Sequence, residues 1–182
     1  PFFVDTFLFK HRKERSRPFP ARFSFYLCAF LFVYSPMTIT FKSFTHSSPL
    51  YEQSLVLRNR VLIKAVGRHE NCRDFDFPDK DIYISAYDGK DLIGTAIITP
   101  INDKTVQMRQ MAVHEDYQGK GIGRMIATEF EKLVLDLGYH TVILHGRESA
   151  LLFYKKLGYE VISDVIYEID IPHYEMKKNL QH

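Results

Sequence analysis

The spacing of apolar side chains changes several times along the chain, and each spacing predicts an element. From Pro49 to Val66 apolar residues recur three or four positions apart, and Gly67 follows. This pattern predicts a mostly buried helix that a glycine ends. Residues 68–80 are polar and include Pro78, so they are predicted to form a loop.

Three antiparallel strands are predicted next. Residues 82–87 alternate in character, and Asp88-Gly89 then precedes the apolar run Leu92 to Ile98. Asp-Gly between two such runs is a strong hairpin signal. A second turn over Pro100 to Lys104 leads to the strand Thr105 to Val113.

The third of these strands has a defect in its alternation. Val106 and Met108 are apolar at even positions, whereas Met111 and Val113 are apolar at odd ones. A strand of period two cannot present both sets on one face unless a residue is inserted, which predicts a β-bulge near Arg109-Gln110. A bulge leaves backbone groups unpaired, and such groups can receive a ligand.

The rest of the chain alternates between helix and strand. Helices are predicted over Arg124 to Leu137 and Ser149 to Leu157, with Ser149 as an N-cap, and β-structure over Thr141 to His145 and Tyr159 to Leu180. Residues 105–145 therefore have the spacing of a right-handed parallel crossover. The fold class predicted is α/β, in the sense of an α+β mixed sheet: mostly antiparallel, with one parallel strand-helix-strand crossover and helices on both faces.

Composition and charge narrow the class of protein. A chain of 182 residues with 46% hydrophobic and 25% charged residues is typical of one globular domain and excludes disordered, collagen-like and coiled-coil chains. A net charge of +2 does not by itself indicate a nucleic-acid binder. The two cysteines, Cys28 and Cys72, exclude a disulfide scaffold and favour a reducing compartment, so a cytoplasmic protein is expected.

Residues 1–36 differ in composition from the rest. They hold six Lys and Arg against two Asp and Glu, followed by the apolar run Phe23 to Tyr34. That run is shorter than the roughly 20 residues of a membrane-spanning helix, and no small-residue cleavage site follows it. We expect residues 37–182 to form the domain and residues 1–36 to be an extension, either upstream sequence read in frame or a fusion remnant. A signal or membrane anchor is the alternative.

A glycine-rich turn, Gln118-Gly-Lys-Gly-Ile-Gly123, separates the bulged strand from the most regular predicted helix. Glycines let successive backbone N–H groups converge, and a helix N-terminus adds partial positive charge, which together favour a phosphate or pyrophosphate. Lys120 and Arg124 add cations at the rim. The spacing fits neither the dinucleotide-binding fingerprint nor the P-loop. A tight turn without a ligand is the alternative.

Two segments resemble motifs of the GNAT superfamily of N-acetyltransferases. Met108 to Gly123 resembles motif A, whose loop has the pattern Q/R-x-x-G-x-G/A, and Gln118, Gly121 and Gly123 fill its fixed places. Ala150 to Tyr159 is similar to motif B, A-x-x-F-Y-x-K-x-G-F/Y. The resemblance covers the whole domain and implies a GNAT-like fold, with a splayed strand at the crossover and acetyl-CoA as cosubstrate. It implies little about the acceptor.

The resemblance also implies roles for single residues. The backbone of Met111, Ala112 and Val113 would pair with the pantetheine arm, and Tyr154 would be the general acid. The amides of seven consecutive residues would hold the pyrophosphate: Gln118, Gly119, Lys120, Gly121, Ile122, Gly123 and Arg124. Ser149 and Phe153 would touch the CoA arm from the second helix.

Other candidates come from side-chain chemistry alone. Three residues are potential catalytic bases or members of a base–water relay: Glu168, His145 and His173. A solvated carboxylate or a hydrogen-bonded structural histidine is the alternative for each. Arg58 and Arg60 could meet an acidic acceptor, although helix arginines are usually solvated or paired at a surface. His69 and Cys72 have the spacing of two metal ligands but lack a second pair, so no metal is expected.

The function predicted is acetyl transfer from acetyl-CoA to a primary amine by direct attack on the thioester. The acceptor would be a small molecule or a peptide, with no nucleic-acid or membrane partner expected and a homodimer left open. The alternative is a non-catalytic, acyl-CoA-binding regulatory module of the same fold.

Overall fold

A seven-stranded mixed sheet forms the centre of the protein in the computed structural model, which describes residues 38–181. The strands are β1 (Ile39–Thr45), β2 (Ile82–Asp88), β3 (Asp91–Asn102), β4 (Thr105–Val113), β5 (Thr141–Arg147), β6 (Glu160–Glu168) and β7 (Ile171–Asn179). Their order across the sheet is β1-β2-β3-β4-β5-β7-β6. Neighbouring strands are antiparallel except β4 and β5, which confirms the predicted crossover.

Helices cover both faces of the sheet, as predicted. They are α1 (Tyr51–Arg58), α2 (Ile122–Asp136) and α3 (Leu151–Lys156). Successive side chains of a strand point to opposite faces. In β2, Ile84 accordingly lies in the core cluster that contains Phe130 of α2, whereas Tyr83 lies in the cluster that contains Leu55 of α1.

The β-bulge is where the sequence predicts it. Thr95 pairs with Ala112 but Ile97 pairs with Arg109, so one residue of β3 faces two residues of β4. Gln110 takes up the extra length with a left-handed backbone (φ 46°). On the other side of β4, pairing with β5 stops at Met108, and the two strands separate beyond it.

The first predicted helix is α-helical only as far as Arg58. A π-helical turn (Asn59–Ile63) and a 3₁₀ turn (Lys64–Val66) complete it, and Gly67 ends it with φ 72°, as predicted. A π turn has i→i+5 hydrogen bonds, which shifts the buried face by about one residue. The side chain of Ile63 is therefore buried, while that of Val66 is exposed.

Other boundaries differ from the predictions. Strand β1 was not predicted, and β3 continues through Pro100, so the second turn shrinks to residues 103–104. Helix α2 begins two residues earlier than predicted, at Ile122. Ser149 is not an N-cap, because a 3₁₀ turn (Glu148–Ala150) precedes α3 and no side chain caps that helix.

The predicted N-terminal extension (1–36), the predicted domain start at Met37 and Cys28 lie outside the described residues. Within residues 38–181, no helix is long and apolar enough to cross a bilayer.

Candidate active site

A cleft of about 1080 Å³ opens where β4 and β5 separate. The glycine-rich turn lines one end of this cleft, and α3 contributes Phe153 and Tyr154. His145 and Glu168 line it as well. The splayed strands thus bring together the residues of both motifs and the candidate base.

The glycine-rich turn has a backbone that favours glycine. Gly119 (φ 73°) and Gly121 (φ 86°) are left-handed, and Gly121 is the N-cap of α2. No side chain caps α2, so the N–H groups of its first turn lack a capping oxygen, and Gly121, Gly123 and Arg124 of this turn line the cleft. Such an uncapped helix N-terminus suits an anion.

Three residues of this turn with polar side chains were predicted to lie at the pyrophosphate site: Gln118, Lys120 and Arg124. Gln118 donates through Nε2 to the carbonyl of Val113 at 2.9 Å, and the Lys120 ammonium lies 5.3 Å from the Tyr117 ring centre. Arg124 is exposed at the rim. The side chains of Gln118 and Lys120 thus contact neighbouring residues, and none of these side chains caps the backbone N–H groups at the start of α2.

Gly123 has a different requirement from Gly121. A Cβ at Gly123 would come 3.3 Å from the Phe153 ring, whereas a Cβ at Gly121 would meet nothing within 4 Å. Gly123 therefore permits the close contact between α2 and α3, and Gly121 supplies the left-handed backbone.

The bulged strand offers an open backbone edge. Beyond Met108, β4 has no strand paired on its β5 side within the described residues. Met111 and Val113 line the cleft there, and Ala112 pairs with β3 on the opposite edge. An extended chain lying in the gap could pair with this edge as an added strand.

The hydroxyl of Tyr154 lies 3.7 Å from the sulfur of Met111. Its ring packs edge-on against Phe153 and Tyr159. Burial raises the pKa of Tyr154 to about 12, with a partly opposing effect of Arg147. The phenol is therefore protonated at neutral pH and can act as a proton donor. Ser149 is exposed at the cleft wall close by in sequence.

His145 and Glu168 form a close pair at the carboxyl ends of β5 and β6. Their Nδ1 and Oε1 atoms are 2.5 Å apart, and Nε2 of His173 is 4.0 Å from the other carboxylate oxygen. The shared hydrogen bond raises the pKa of His145 and lowers the pKa of Glu168. The structure thus brings together all three candidate bases, with the carboxylate between two imidazoles.

We expect Glu168→Gln to lower the pKa of His145 toward its ordinary value of about 6.5, because the amide removes the negative partner. An NMR pH titration of the histidine ring protons measures this shift. Glu160→Gln, at the other end of β6, is the control. An unshifted His145 titration in Glu168→Gln would contradict the pairing.

The same pair makes stability depend on pH. A raised histidine pKa stabilises the fold below about pH 6.5, and a lowered carboxylate pKa stabilises it above about pH 4.5. The contribution is therefore greatest between these values. It is lost as the pH rises through the raised pKa of His145 or falls through the lowered pKa of Glu168.

Arg58 is buried, which corrects the prediction of a solvated or surface-paired arginine. Its guanidinium bonds Asp76 at 2.7 and 3.1 Å and donates to Oε1 of Gln110 at 2.7 Å. Tyr51 donates to the same carboxylate at 2.8 Å. Arg60 follows the prediction, since it pairs with Glu115 at an exposed site. The Arg58 network fixes the side chain of the left-handed bulge residue.

Arg147 is a cleft residue that sequence reasoning missed. It ends β5, and its Nη2 donates to the carbonyl of Leu62 at 2.6 Å. Burial lowers the pKa of its guanidinium. No local pattern marks this arginine, because its neighbours come from α1's π-helical continuation and from α3.

The comparisons with known proteins agree with this geometry. Residues 49–159 match the Acetyltransferase (GNAT) family. The uncharacterized N-acetyltransferase YjcF of Bacillus subtilis (strain 168) is 31% identical over 129 residues, which are 70% of this chain and 91% of YjcF.

Solved structures share the fold. A candidate N-acetyltransferase from Lactobacillus plantarum is similar with a TM-score of 0.70 and 25% identity, over 79% of this chain and 99% of that one. A GNAT family acetyltransferase from Elizabethkingia anophelis, solved with acetyl-CoA bound, has a TM-score of 0.58 at 18% identity, over 78% and 98% of the two chains. Since the family match includes both the glycine-rich turn and Tyr154, and spans more than half of the sequence, this chain belongs to the GNAT acetyltransferase family.

Proposed function

We propose that this protein is an N-acetyltransferase that moves the acetyl group of acetyl-CoA to a primary amine by direct attack on the thioester. One observation carries the proposal. The uncapped glycine-rich turn, the open edge of β4 and the protonated Tyr154 line a single cleft.

The groups that line the cleft suit the chemistry of acetyl-CoA. The first-turn amides of α2 would hold the pyrophosphate, with Lys120 and Arg124 beside it. The backbone of Met111 to Val113 would pair with the amide groups of the pantetheine arm. That the Elizabethkingia relative in fold binds acetyl-CoA supports this assignment.

Tyr154 would supply the proton for the leaving group. When the amine nitrogen forms its bond to the acetyl carbon, the carbon–sulfur bond breaks and the sulfur takes the electron pair. Because the thiol has a pKa of about 8.5, its thiolate is a good leaving group, and the Tyr154 hydroxyl would donate its proton toward the sulfur while the negative charge develops there. The phenol is the weaker acid of the two, so any phenolate formed would regain a proton from solvent, which balances the proton that the amine gives up. Free N–H groups near the bulge would stabilise negative charge on the carbonyl oxygen.

The His145–Glu168 pair would take the proton of the attacking amine. Glu168 is ionised and weakly basic in this pair, so it would orient His145, whose raised pKa makes it the better acceptor. Activity is then expected to rise with pH as His145 loses its own proton. Glu168 would thus take part in catalysis by orienting His145, and His145 would accept the proton.

Turnover separates this proposal from the regulatory-module alternative. Release of free CoA thiol is followed with acetyl-CoA alone and with a panel of primary amines. An enzyme releases CoA in an amine-dependent manner and forms N-acetyl products, whereas a binding module holds acetyl-CoA without consuming it.

Gly121→Asp is expected to weaken acetyl-CoA binding by about 100-fold or more. The new carboxylate would stand beside the pyrophosphate, where like charges about 4 Å apart repel by about 4 kcal/mol at the dielectric of a protein surface. A side chain there has open space but is strained by the left-handed backbone (φ 86°), so we expect the variant to fold with reduced stability. Calorimetric titration measures the affinity, and circular dichroism checks the fold.

Gly89→Asp is the matched control for this variant. Gly89 also has a left-handed backbone (φ 60°) and open space at its Cβ, but it lies in the β2–β3 hairpin. The Gly89→Asp protein should bind acetyl-CoA with the affinity of the wild type. Equal affinity of a folded Gly121→Asp protein and this control would show that the turn does not hold the pyrophosphate.

A further inference from the structure

Arg147 is a half-buried cation without an acidic partner. Of its five N–H donors, one is bonded, to the carbonyl of Leu62. No carboxylate of residues 38–181 lies within ion-pairing distance of it. A partly desolvated charge is costly unless a counter-charge meets it, so this arrangement suits an anion that arrives with a ligand.

The other arginines that are buried or half-buried have such a partner. Arg58 pairs with Asp76, Arg109 lies 3.5 Å from Asp81, and Arg68 lies 2.9 Å from Asp170. In the described part of the chain, Arg147 is the half-buried arginine that has no acidic partner, and it lines the cleft.

The cleft itself cannot neutralise Arg147. Among the residues 38–181 that line the cleft, Glu168 is the one carboxylate, and it is engaged by His145. Arg124 lines the same cleft, is exposed and has no ion pair among the described residues, so it adds positive charge there. An excess of positive charge in a cleft raises the local concentration of anions.

Arg147 and His145 stand two residues apart on β5. Alternate residues of a strand share a face and are about 6.6 Å apart along it. Both side chains line the cleft, so they can contact the amine and the carboxylate of one small molecule. A guanidinium presents paired N–H donors that match the two oxygens of a carboxylate.

We propose that Arg147 binds a carboxylate of the acceptor, so that the acceptor is a small molecule with both an amine and a carboxylate. This inference rests on the proposed N-acetyltransferase function. The amine would point to the His145–Glu168 pair and to the thioester, and the carboxylate to Arg147. Arg147 is then a specificity-determining residue. The hydrogen bond from Arg147 to the carbonyl of Leu62 orients the guanidinium.

The test compares free amino acids with their C-terminal amides, which keep the amine and lose the negative charge. A panel of the common amino acids and the matching amides is assayed with acetyl-CoA, and kcat/KM is corrected for the fraction of unprotonated amine. The proteins are the wild type, Arg147→Gln, Arg147→Lys and the control Arg60→Gln, which removes an arginine outside the cleft.

We expect the wild type to favour acids over amides. Arg147→Gln should lower kcat/KM for the acids by about 10- to 100-fold, the range for one lost hydrogen bond between charged groups, while the amides change by less than about twofold. Arg147→Lys should restore part of the preference. Arg60→Gln should behave as the wild type, and acetyl-CoA affinity should be the same in all four proteins.

Several results would overturn the inference. Equal use of acids and amides by the wild type, or an equal loss for both in Arg147→Gln, would reduce Arg147 to a structural tie between β5 and the π-helical turn. Acetyl-CoA binding without acetylation of any acid in the panel would also overturn it. Failure to bind acetyl-CoA at all would instead overturn the proposed function, and the inference with it.

Discussion

Tyr154→Phe is expected to lower kcat by about 10²- to 10⁴-fold, the usual contribution of a positioned acid. The variant keeps the ring and its contacts with Phe153 and Tyr159, so the fold and the affinity for acetyl-CoA should change little. What is lost is the hydroxyl, whose pKa of about 12 keeps it protonated at neutral pH. The thiolate would then have to leave without its proton donor.

The measurement is single-turnover acetyl transfer, in which chemistry limits the rate. Tyr87→Phe is the control, because Tyr87 is another buried tyrosine and lies on β2 outside the cleft. Its kcat should match the wild type. A Tyr154→Phe protein with wild-type kcat would show that Tyr154 serves in packing and not in catalysis.

Arg58→Met is expected to lower the free energy of unfolding by about 3–5 kcal/mol, the usual result of breaking a buried ion pair from one side. The Asp76 carboxylate, with 1% of its side chain exposed, would keep Tyr51 and Gln110 as its hydrogen-bond partners and lose its cation. Because the same guanidinium holds the Gln110 side chain, we also expect weaker acetyl-CoA binding at the bulge.

Urea unfolding followed by circular dichroism measures the first effect. Arg60→Gln is the control, since its ion pair with Glu115 is exposed and such pairs contribute about 0–1 kcal/mol. A loss below about 1 kcal/mol in Arg58→Met would mean that the network does not stabilise the fold.

Local sequence patterns predicted those features of this protein that depend on residues close together in the sequence. The switch from even to odd apolar positions in β4 located the bulge, because alternation is a property of the strand itself. The glycine-rich turn before α2 was predicted on the same basis, because backbone freedom belongs to single residues. The parallel crossover followed from the length and order of the segments.

The ends and interruptions of elements depended on packing. The apolar stripe from Pro49 to Val66 fits a regular helix, yet a π turn after Arg58 buries Ile63 instead of Val66. Strand β1 was missed because its residues are mostly exposed at the edge of the sheet, where Phe44 is the one buried side chain. In the π turn, the gain from tertiary contacts outweighs the local preference for a regular helix.

The sequence by itself determined the class of fold, the bulge, the glycine-rich turn and the two motifs that hold the cleft's best-defined residues. Only the tertiary structure decided the electrostatics of that cleft. Arg58 meets Asp76 across 18 positions, His145 meets Glu168 across 23, and Arg147 meets Leu62 across 85. Polar groups so far apart along the chain have no fixed distance until the sheet forms. Their interaction depends on their distance in space and on burial, not on their spacing along the chain.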